Sequence, residues 1–340
     1  MFTNPFSPIF GGKPEVFFGR EDILKRFDHA MIDVGSEDRA LFITGTRGSG
    51  KTALLEQFSI KAASRKRMVI DLGPEHLGRE SLQSILLEVC SNAKNGILVT
   101  VDEVQKVPIE DVSTLCNAFQ MVSRKGYDII LAVAGLPYAY NRIIKHEGCT
   151  YLRRSTHVEL GLFTWEEANE AFKKTFSTIK GLTVDKSVIE RINHASYGHP
   201  YLMQLLGYHL ILQVNDHDHG KKHSVTDDEM EKAISDATFA YEQRALKPLL
   251  EELPSAEKGY ITKMSECLDD DRLAATSDIA HKLGTTQNKL SKTRAYLLDN
   301  GIIAAPERGK VMFCIPYLAD YVKKDEHIAD VVEIARQRRV

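Results

Sequence analysis

The sequence lacks the cysteine pattern of a disulfide-stabilised or zinc-binding protein. Its 340 residues contain five cysteines, which are odd in number, far apart and never arranged as Cys-x-x-Cys. Disulfide frameworks in small secreted proteins use even numbers of cysteines, and zinc sites place them in closely spaced pairs. We therefore expect reduced thiols, a cytoplasmic location and no zinc site.

Segments that insert into a membrane are also missing. The amino terminus has no basic region followed by an apolar run, which is the pattern of a signal peptide. Apolar residues never run together for the roughly 18 positions that a membrane-spanning helix requires. The sequence predicts no membrane partner.

A bias toward one sign of charge is absent as well. Lys and Arg number 44 and Asp and Glu number 47, so the net charge is -3. This balance excludes a protein that coats a polyanion over its whole surface, although it allows a local basic patch. The content of 43% hydrophobic and 27% charged residues excludes wholesale disorder.

Short apolar runs alternate with amphipathic helical segments between residues 37 and 160. Such alternation is typical of crossover units that build a parallel sheet covered on both faces. The fold class predicted for this region is therefore α/β with a parallel sheet. The predicted strands are Ala40–Thr44, Met68–Leu72, Ile97–Val101, Ile129–Ala134 and His157–Leu160.

The remaining sequence divides into four further regions. Residues 1–36 are rich in Pro and Gly before a helix begins at Arg20, and residues 161–245 are predicted to form a small all-helical unit whose first helix Thr164 caps. Residues 246–325 show three helices and a hairpin, the pattern of a winged helix-turn-helix, and residues 326–340 form a helical tail.

Particular boundaries are predicted within these regions. In the winged helix, Ser277 caps the second helix, the third helix runs from Gln287 to Leu298, and residues 301–303 pair with residues 311–313 in the hairpin. The stretch 216–223 contains three histidines and two aspartates. We interpret it as a polar loop in preference to a metal site.

The segment Gly45–Thr52 reads Gly-Thr-Arg-Gly-Ser-Gly-Lys-Thr and matches the phosphate-loop pattern at every fixed position. Its glycines allow successive amide groups to converge on phosphates, and the helix that begins at Lys51 adds its positive end. In this interpretation Lys51 reaches the β- and γ-phosphates, and the Thr52 hydroxyl binds magnesium. The alternative is a glycine-rich turn with a solvated lysine, but an apolar strand before the loop and a helix after it favour nucleotide binding.

A second motif follows about fifty residues later, where the strand Ile97–Val101 ends in Asp102 and Glu103. An apolar strand followed by two carboxylates is a Walker B arrangement, in which Asp102 holds the magnesium and Glu103 acts as the base for the attacking water. The alternative is a helix cap. A signalling GTPase is disfavoured, because the guanine-reading Asn-Lys-x-Asp motif is missing.

Together these residues resemble the AAA+ ATPases, in the group near archaeal origin-recognition initiators and STAND-type switch ATPases. The chain looks like the bacterial ATP-binding protein family with a carboxyl-terminal winged helix. The resemblance implies Mg-ATP or Mg-ADP as ligand, catalytic roles for Glu103, Lys51 and Arg154, and magnesium ligands at Thr52 and Asp102. It also implies nucleotide contacts from Phe18, Gly19, Arg20, Arg47, Gly48, Ser49, Gly50, Lys51, Thr52, Ala53 and Pro200.

Two of these implied roles have simpler alternatives. Arg153 and Arg154 precede the last strand, where the family places an arginine finger that a neighbouring copy supplies, but they also suit pairing with surface carboxylates. The segment Gly198–Pro200 resembles the lid motif whose proline packs near the base, but it also suits a helix start, with His199 as a packed or capping side chain.

The sequence departs from the family at two places. The fourth strand ends in Ala134-Gly135-Leu136-Pro137, where many relatives carry a polar residue that senses the γ-phosphate. The lid also has no arginine near Pro200, the usual place of a second sensor. Both departures predict slow hydrolysis.

The predicted third helix of the winged domain carries side chains suited to a DNA groove. DNA contacts are predicted for Gln287, Asn288, Lys289, Lys292 and Arg294 on this helix and for Arg308 and Lys310 in the hairpin. However, residues 241–325 contain 13 Lys plus Arg and 13 Asp plus Glu, and a neutral domain binds DNA weakly unless its charges are segregated.

Three functional hypotheses follow. The first is an initiator-like ATPase that binds double-stranded DNA, and the second is a STAND-like switch whose winged helix contacts protein. The third is a nucleotide-binding scaffold without turnover. If an arginine finger acts in either of the first two, a second copy of the chain would be a further partner, in a homo-oligomer.

Overall fold

The computed structural model describes residues 1–9, 17–73, 82–216 and 222–324. Predictions about the tail 326–340 and about positions 217–221 of the polar loop lie outside the described residues. Within these ranges, no helix is both long enough and apolar enough to cross a membrane.

A five-stranded parallel sheet forms the centre of the α/β region. Its strands are β1 (Ala40–Gly45), β2 (Met68–Leu72), β3 (Ile97–Val101), β4 (Ile129–Gly135) and β5 (Thr156–Leu160), and their order in the sheet is β2-β3-β4-β1-β5. Every residue of β1, β3 and β4 is buried, because helices cover both faces of the sheet. This arrangement confirms the predicted fold class, and each predicted strand agrees with the observed one to within one residue at each end.

Five helices accompany this sheet: α1 (Glu21–Ala30), α2 (Lys51–Ser64), α3 (Leu82–Asn92), α4 (Ile109–Arg124) and α5 (Pro137–Lys145). The strands are in register at their carboxyl ends. Thr44 of β1 pairs with Gly135 of β4, and Val101 of β3 pairs with Val133 of β4. The segments that follow β1, β3 and β4 therefore meet at one edge of the sheet.

The second unit is mainly helical and contains α6 (Trp165–Ser177), α7 (Lys186–Ser196), α8 (Pro200–Asn215) and α9 (Asp227–Tyr241). The predicted cap at Thr164 is confirmed, since its side chain accepts from Glu167 N–H and the Glu167 carboxylate accepts from Thr164 N–H. The prediction of an all-helical unit is wrong in one detail. Two short strands, β6 (Leu182–Thr183) and β7 (His223–Ser224), pair in parallel.

Residues 1–9 lie along α8. The Phe2 amide donates to the Asn215 side chain at 2.7 Å, and the Ser7 amide donates to the Gln204 side chain at 2.9 Å. The buried Phe6 ring packs with Phe172 and Phe176 of α6. The amino-terminal segment is thereby fixed to the helical unit.

After α9 the chain continues through a π-helical turn, Glu242–Leu246, into α10 (Lys247–Glu252). A compact domain follows with α11 (Ser255–Ser265), α12 (Thr276–Lys282) and α13 (Ser291–Asp299). Its antiparallel sheet has strand order β8-β10-β9, built from Ala274–Ala275, Lys310–Phe313 and Ile303–Ala304. The three predicted helices and a hairpin are present, but the stretch 246–325 also contains α10 and a helical segment at residues 318–324. In the hairpin, Ile303 and Ala304 pair with Phe313 and Met312, whereas Val311 pairs with Ala274.

Two boundaries predicted for this domain are wrong. Ser277 lies inside α12, whose preceding residue is Ala275, because the Thr276 amide donates to Gly309 O at 2.8 Å and the sheet thus delivers the chain directly into the helix. The third helix begins at Ser291, and Gln287 lies in the turn before it. There the amides of Lys289 and Leu290 bond to oxygens three residues back, as in a tight turn.

Candidate functional site

The segment Gly45–Thr52 connects β1 to α2 and bends as the sequence predicts. Gly48 and Gly50 have φ values of 78° and 92°, in the left-handed region that favours glycine. A Cβ atom at Gly50 would meet open space, whereas one at Gly48 would lie 2.6 Å from Cε1 of His199. The loop therefore forms a cradle on one side and contacts the helical unit on the other.

Lys51 begins α2 and points back into this cradle. Its ammonium group donates to Gly45 O at 2.9 Å and to Thr46 O at 2.8 Å, and the residue is 6% exposed. Burial lowers the pKa of Lys51, and the nearby carboxylates of Glu103 and Asp102 oppose that shift. The Ser49 hydroxyl is also buried and has no hydrogen-bond partner in the described part of the chain. A cation and an unsatisfied hydroxyl in one glycine-rich cradle fit a phosphate group.

The two residues predicted to hold magnesium touch each other. The Thr52 hydroxyl donates to Asp102 Oδ2 at 2.6 Å, and Asp102 Oδ1 accepts from the Glu103 amide at 2.8 Å. Both side chains offer oxygen, the donor that Mg²⁺ prefers, and they lie beside the cradle. The residues present therefore fit a magnesium ion accompanied by phosphate.

Glu103 directly follows Asp102 and has a left-handed backbone, with φ 52°. Its carboxylate accepts from Gln105 Nε2 at 2.8 Å and pairs with the Lys106 ammonium at 3.2 Å. The other end of the Gln105 amide accepts from the Leu136 amide at 3.1 Å, immediately after β4. Gln105 thus joins Glu103 to the end of the neighbouring strand.

This contact explains the missing polar sensor at the end of β4. A Cβ atom at Gly135 would lie 3.0 Å from Gln105 Oε1 and 2.7 Å from Cγ1 of Val104. The Gln105 amide occupies the place that a larger side chain at Gly135 would take. Sequence reasoning missed Gln105, although its position two residues after Glu103 places it at the same edge of the sheet.

Most of the residues predicted to contact adenine line the same cavity as the phosphate loop. Arg20 donates to Gly161 O at 2.6 Å and its guanidinium lies 4.7 Å from the centre of the Phe163 ring. Gly19 has φ 75°, and a Cβ there would lie 2.5 Å from Phe163 Cε1. Phe18, Arg20, Ala53 and Pro200 all line the cavity. Sequence reasoning missed several of its apolar walls, namely Phe6, Phe17, Phe163, Phe172 and Met203.

His199 connects the helical unit to the phosphate loop. Its Nδ1 accepts from the Leu202 amide at 3.4 Å, so it caps α8 and confirms the predicted capping role. Nε2 then carries the proton and donates to Arg47 O at 3.1 Å, and the Tyr201 amide donates to Gly48 O at 3.3 Å. Complete burial lowers the pKa of His199 to about 4, so the ring is neutral at physiological pH.

The carboxyl-terminal domain closes the cavity, which has a volume of about 690 Å³. Tyr296 and Asn300, at the end of α13, line it together with Ile302. A Cβ at Gly301 would lie 2.8 Å from Thr46 Cγ2 in the phosphate loop. The ion pair between Arg47 and Glu252, at 2.6 Å, ties the same loop to α10.

The two arginines before β5 lie far from this cavity. Thr156 pairs with Leu41 and Leu160 pairs with Gly45, so Arg154 lies at the amino edge of the sheet. That edge is roughly 16 Å, the length of a five-residue strand, from the phosphate loop. Arg153 donates to the carbonyls of Ile144 and Lys145 at the end of α5, whereas Arg154 is exposed and has no side-chain partner within the described ranges. Arg154 can therefore meet a nucleotide only in another copy of the chain.

The predicted DNA-contact residues lie on one domain, but not on one helix. Lys292 and Arg294 lie on α13, whereas Gln287 and Lys289 lie in the turn before it. Gln287 Oε1 accepts from the Thr276 hydroxyl at 3.2 Å. Arg308 lies in the hairpin and is exposed, and Lys310 is 3.5 Å from Asp269 and 3.9 Å from Glu307. Carboxylates therefore already balance part of the predicted charge at Lys310.

Two parts of the chain match known families. Residues 37–133 match a family described as AAA domain, and residues 243–322 match a domain of unknown function (DUF8462). No curated protein sequence matches the chain.

Solved structures with a similar fold include two archaeal proteins and one bacterial motor protein. The ORC2 protein of Aeropyrum pernix, in ADPNP-ADP complexes, is 14% identical with a TM-score of 0.68, and the match covers 96% of this chain and 99% of that chain. Cdc6p of Pyrobaculum aerophilum is 14% identical with a TM-score of 0.53, covering 94% and 96%. The RuvB Holliday junction branch migration motor of Thermotoga maritima is 18% identical with a TM-score of 0.50, covering 90% and 95%.

These matches and the site geometry settle the fold. Residues 37–133 match the AAA domain family, and the fold of the whole chain is similar to that of the archaeal ORC2 protein. This confirms the resemblance predicted from the phosphate loop and the Walker B segment. The AAA domain contains Lys51, Thr52, Asp102 and Glu103, so the match covers the four side chains gathered at the carboxyl edge of the sheet.

Proposed function

We propose that this protein binds Mg-ATP between its AAA domain and its helical unit and hydrolyses it slowly. The observation that carries the proposal is the convergence of Lys51, Thr52, Asp102 and Glu103 around one cradle, beside a cavity with apolar walls. The similar ORC2 protein of Aeropyrum pernix forms complexes with ADPNP and ADP, which supports an adenine nucleotide as the ligand.

The residues divide the chemistry among them. Lys51 neutralises phosphate charge from inside the loop, and the amides of Gly48, Ser49 and Gly50 donate to the phosphate oxygens together with the positive end of α2. Arg47 and Ala53 flank these amides, and Phe18, Gly19, Arg20 and Pro200 enclose the base. Thr52 and Asp102 would hold the magnesium ion, which when bound supplies charge neutralisation at the phosphates. Glu103 accepts a proton from the attacking water.

The proposed turnover is slow for a reason visible in the site. The Lys106 ammonium pairs with Oε2 of Glu103 at 3.2 Å, so an attacking water must compete with this ion pair for that carboxylate oxygen. The exposed Arg154 acts as an arginine finger toward a neighbouring copy, since it lies too far from its own site. Hydrolysis would accelerate when copies assemble, because the finger stabilises the charge of the transition state.

Nucleotide binding would shift the arrangement of the units around the cavity. We assign an amino-terminal adenine-contacting segment to residues 1–36, the ATPase core to 37–160, the lid to 161–245, the winged helix to 246–325 and the tail to 326–340. Core, lid and carboxyl-terminal domain all line the same cavity, so a ligand that contacts all three favours the closed arrangement.

We further propose that the winged helix binds double-stranded DNA and that nucleotide binding and hydrolysis control this interaction. Lys289, Lys292 and Arg308 are exposed on one domain and suit phosphate contacts, with Gln287, Arg294 and Lys310 beside them. Because the domain has no net charge, the expected affinity is modest and depends strongly on salt.

A second candidate function has an observation of its own in support. Tyr296 and Asn300 of α13 line the nucleotide cavity, so the same helix proposed for DNA contact is already engaged with the ATPase core. This geometry suits a STAND-like switch whose winged helix covers the nucleotide and contacts a protein partner after release.

One experiment separates these functions. ATP hydrolysis is measured for the full chain with and without duplex DNA, alongside Lys51→Ala and Glu103→Gln. The proposal expects slow hydrolysis that duplex DNA changes, loss of binding in Lys51→Ala, and retained binding without turnover in Glu103→Gln. A hydrolysis rate that duplex DNA does not change would favour the STAND-like switch. Tight nucleotide binding without hydrolysis in the unaltered protein would favour the nucleotide-binding scaffold.

A further inference from the structure

Two buried cysteines are in contact where the chain after α5 packs against α4. Cys116 belongs to α4, and Cys149 ends a short 3₁₀ turn, Glu147–Cys149. Both residues are at most 1% exposed, and their thiols are hydrogen-bonded to each other. All five cysteines of the chain are free thiols. The two residues are more than thirty positions apart and belong to no cysteine motif, so only the fold brings them together.

Close packing on both sides holds the two thiols against each other. The turn approaches α4 so closely that a Cβ atom at Gly148 would overlap Oγ of Ser113. On the other side, the ring of Tyr151 lies 5.1 Å from the ring of Phe119, measured between centroids. Ser113, Cys116 and Phe119 are spaced three residues apart and therefore follow one another along one face of α4. The cysteine contact is thus the middle one of three successive contacts between the turn and the helix.

Polar groups surround the sulfur of Cys149. His146 Nδ1 lies 3.9 Å from Cys149 Sγ and accepts from the Gly148 amide at 3.2 Å. The hydrogen bond from Cys116 lowers the pKa of the Cys149 thiol, although burial opposes this shift. His146 and Arg153 lower this pKa further. The pKa of Cys116 is raised, because this thiol donates to Cys149 and is buried. Since the thiolate is the reactive form of cysteine, Cys149 is the nucleophile of the pair.

The position of Cys149 allows a small oxidant to reach it after a local movement. Glu147 and Thr150 lie on either side of it in the chain and are exposed. A single 3₁₀ turn can open without unfolding the helix beneath it. A disulfide brings its two sulfurs to about 2.05 Å, closer than two thiols in contact. Because α4 is anchored in the core under the sheet, the displacement falls on the turn.

We propose that Cys116 and Cys149 form a thiol-disulfide site that a peroxide oxidises reversibly. In the first step the Cys149 thiolate attacks one peroxide oxygen, the O–O bond breaks, and a sulfenic acid and one water form. In the second step the Cys116 sulfur attacks the Cys149 sulfur, the S–O bond breaks, and the leaving hydroxide takes the Cys116 proton as a second water. Together the two thiols lose two electrons and two protons, and the peroxide is reduced to two waters.

Oxidation at this site would act on the residue proposed as the arginine finger. Arg154 lies five residues after Cys149, at the end of the 3₁₀ turn Leu152–Arg154. Arg153 donates to the last two carbonyls before the first turn and joins both turns into one short unit. A disulfide that displaces Cys149 therefore displaces Arg154. This part of the inference rests on the proposed function, and it expects oxidation to lower hydrolysis that depends on assembly.

The test treats the full chain, purified in the reduced form, with a small molar excess of hydrogen peroxide. Intact mass and a peptide map are expected to show the loss of two hydrogen atoms and a link between Cys116 and Cys149, which dithiothreitol removes. Dimedone, a reagent for sulfenic acids, is expected to label Cys149 in Cys116→Ser and to leave Cys116 unlabelled in Cys149→Ser. ATP hydrolysis at high protein concentration is expected to fall about tenfold on oxidation and to recover with dithiothreitol.

Cys267→Ser is the matched control. Cys267 is half-buried in the carboxyl-terminal domain and is thus the more accessible thiol. The link and its effect on hydrolysis are expected to persist in this variant, whereas both are expected to be absent in Cys149→Ser. A thermal unfolding curve of each variant shows that it is folded.

The outcomes separate the site from the function on which its effect depends. If peroxide leaves both thiols intact, or oxidises Cys267 and Cys314 while Cys116 and Cys149 stay reduced, the inference is overturned. A disulfide that forms without changing hydrolysis would overturn its connection to Arg154. If the reduced protein hydrolyses no ATP, the proposed function is wrong, and the mass and peptide measurements still decide whether the thiol-disulfide site exists.

Discussion

The imidazole of His199 lies against the phosphate loop and donates to the backbone oxygen of Arg47 at 3.1 Å. The ring is 2% exposed and caps α8 through its other nitrogen, so one neutral side chain joins the lid to the nucleotide cradle. The lid therefore cannot move away from the loop without exposing this ring and breaking its hydrogen bond to Arg47 O.

The first prediction is a loss of stability below neutral pH that His199 controls. The pKa of His199 is about 4 in the folded protein, below the ordinary value of 6.5, because burial disfavours the charged ring. The unfolded state then binds more protons as the pH falls below 6.5, so unfolding becomes easier there, while nothing changes above that pH. The free energy of unfolding should fall by about 2 kcal/mol between about pH 7.5 and about pH 5 from this residue alone.

Urea unfolding of the protein and of His199→Asn checks this prediction. Asparagine is a good helix cap and does not titrate, so the variant should lose less stability over the same pH interval. Parallel losses in the two proteins would assign the pH dependence to other groups.

A second prediction concerns Gln105 as the positioning residue of Glu103. Gln105→Ala removes the amide that joins Glu103 to the end of β4, so the carboxylate gains freedom and keeps only its contact with Lys106. We expect kcat to fall about tenfold with KM nearly unchanged, because the nucleotide contacts remain. Steady-state hydrolysis by Gln105→Ala and by the isosteric Gln105→Glu measures this, and an unchanged kcat in both variants would remove Gln105 from the mechanism.

The ion pair between Arg47 and Glu252 gives a third prediction. Both side chains are more than half exposed, so the pair contributes little to folding, in the range of about 0–1 kcal/mol. Its position between the phosphate loop and α10 suggests a role in closing the cavity instead. Glu252→Arg is expected to speed nucleotide dissociation several-fold, which stopped-flow release of a fluorescent nucleotide reports.

The charge-reversed pair controls this experiment. Combining Arg47→Glu with Glu252→Arg restores an ion pair at the same place and should return the release rate part of the way toward that of the unaltered protein. A double variant that releases nucleotide as fast as the faster single variant would show that the pair does not close the cavity.

The fourth prediction tests the proposed DNA contact. Replacing Lys292 and Arg294 on α13 with alanine should weaken binding to duplex DNA about tenfold. The slope of log affinity against log salt concentration should become shallower by about two, because two phosphate contacts are lost. Fluorescence anisotropy at several salt concentrations measures both quantities. The control is Lys186→Ala, which removes an exposed lysine of the lid. Equal DNA affinity in the unaltered protein, the double variant and this control would favour the switch function.

Much of the fold was predictable from local sequence. The strands Ala40–Gly45, Ile97–Val101 and Ile129–Gly135 are buried on both faces, and continuous apolar runs of this length between helices predict such strands directly. The phosphate loop was equally predictable, because a bend through Gly48 and Gly50 requires glycine and the helix after it requires no distant contact.

The errors arise where distant contacts decide the local structure. Gln287 was predicted to lie in a helix, but its side chain accepts from Thr276 across the domain and the helix begins four residues later. Gln105 carries no motif, and only tertiary packing places it between Glu103 and the end of β4. Tyr296 likewise lines the nucleotide cavity, although it is about 250 residues from the phosphate loop. Helical periodicity predicts a single helix and gives no information about which distant segment that helix packs against.

The proposed function requires that the cradle around Lys51 holds the phosphates of an adenine nucleotide with magnesium. Isothermal titration of the full chain with Mg-ATP, beside the Lys51→Ala variant, measures this binding. We expect saturable binding with one nucleotide per chain, and an affinity lowered at least about a hundredfold in Lys51→Ala, because the variant loses the buried cation of the cradle. No binding in the unaltered protein, or equal affinity in both proteins, would show that the cradle does not hold a nucleotide.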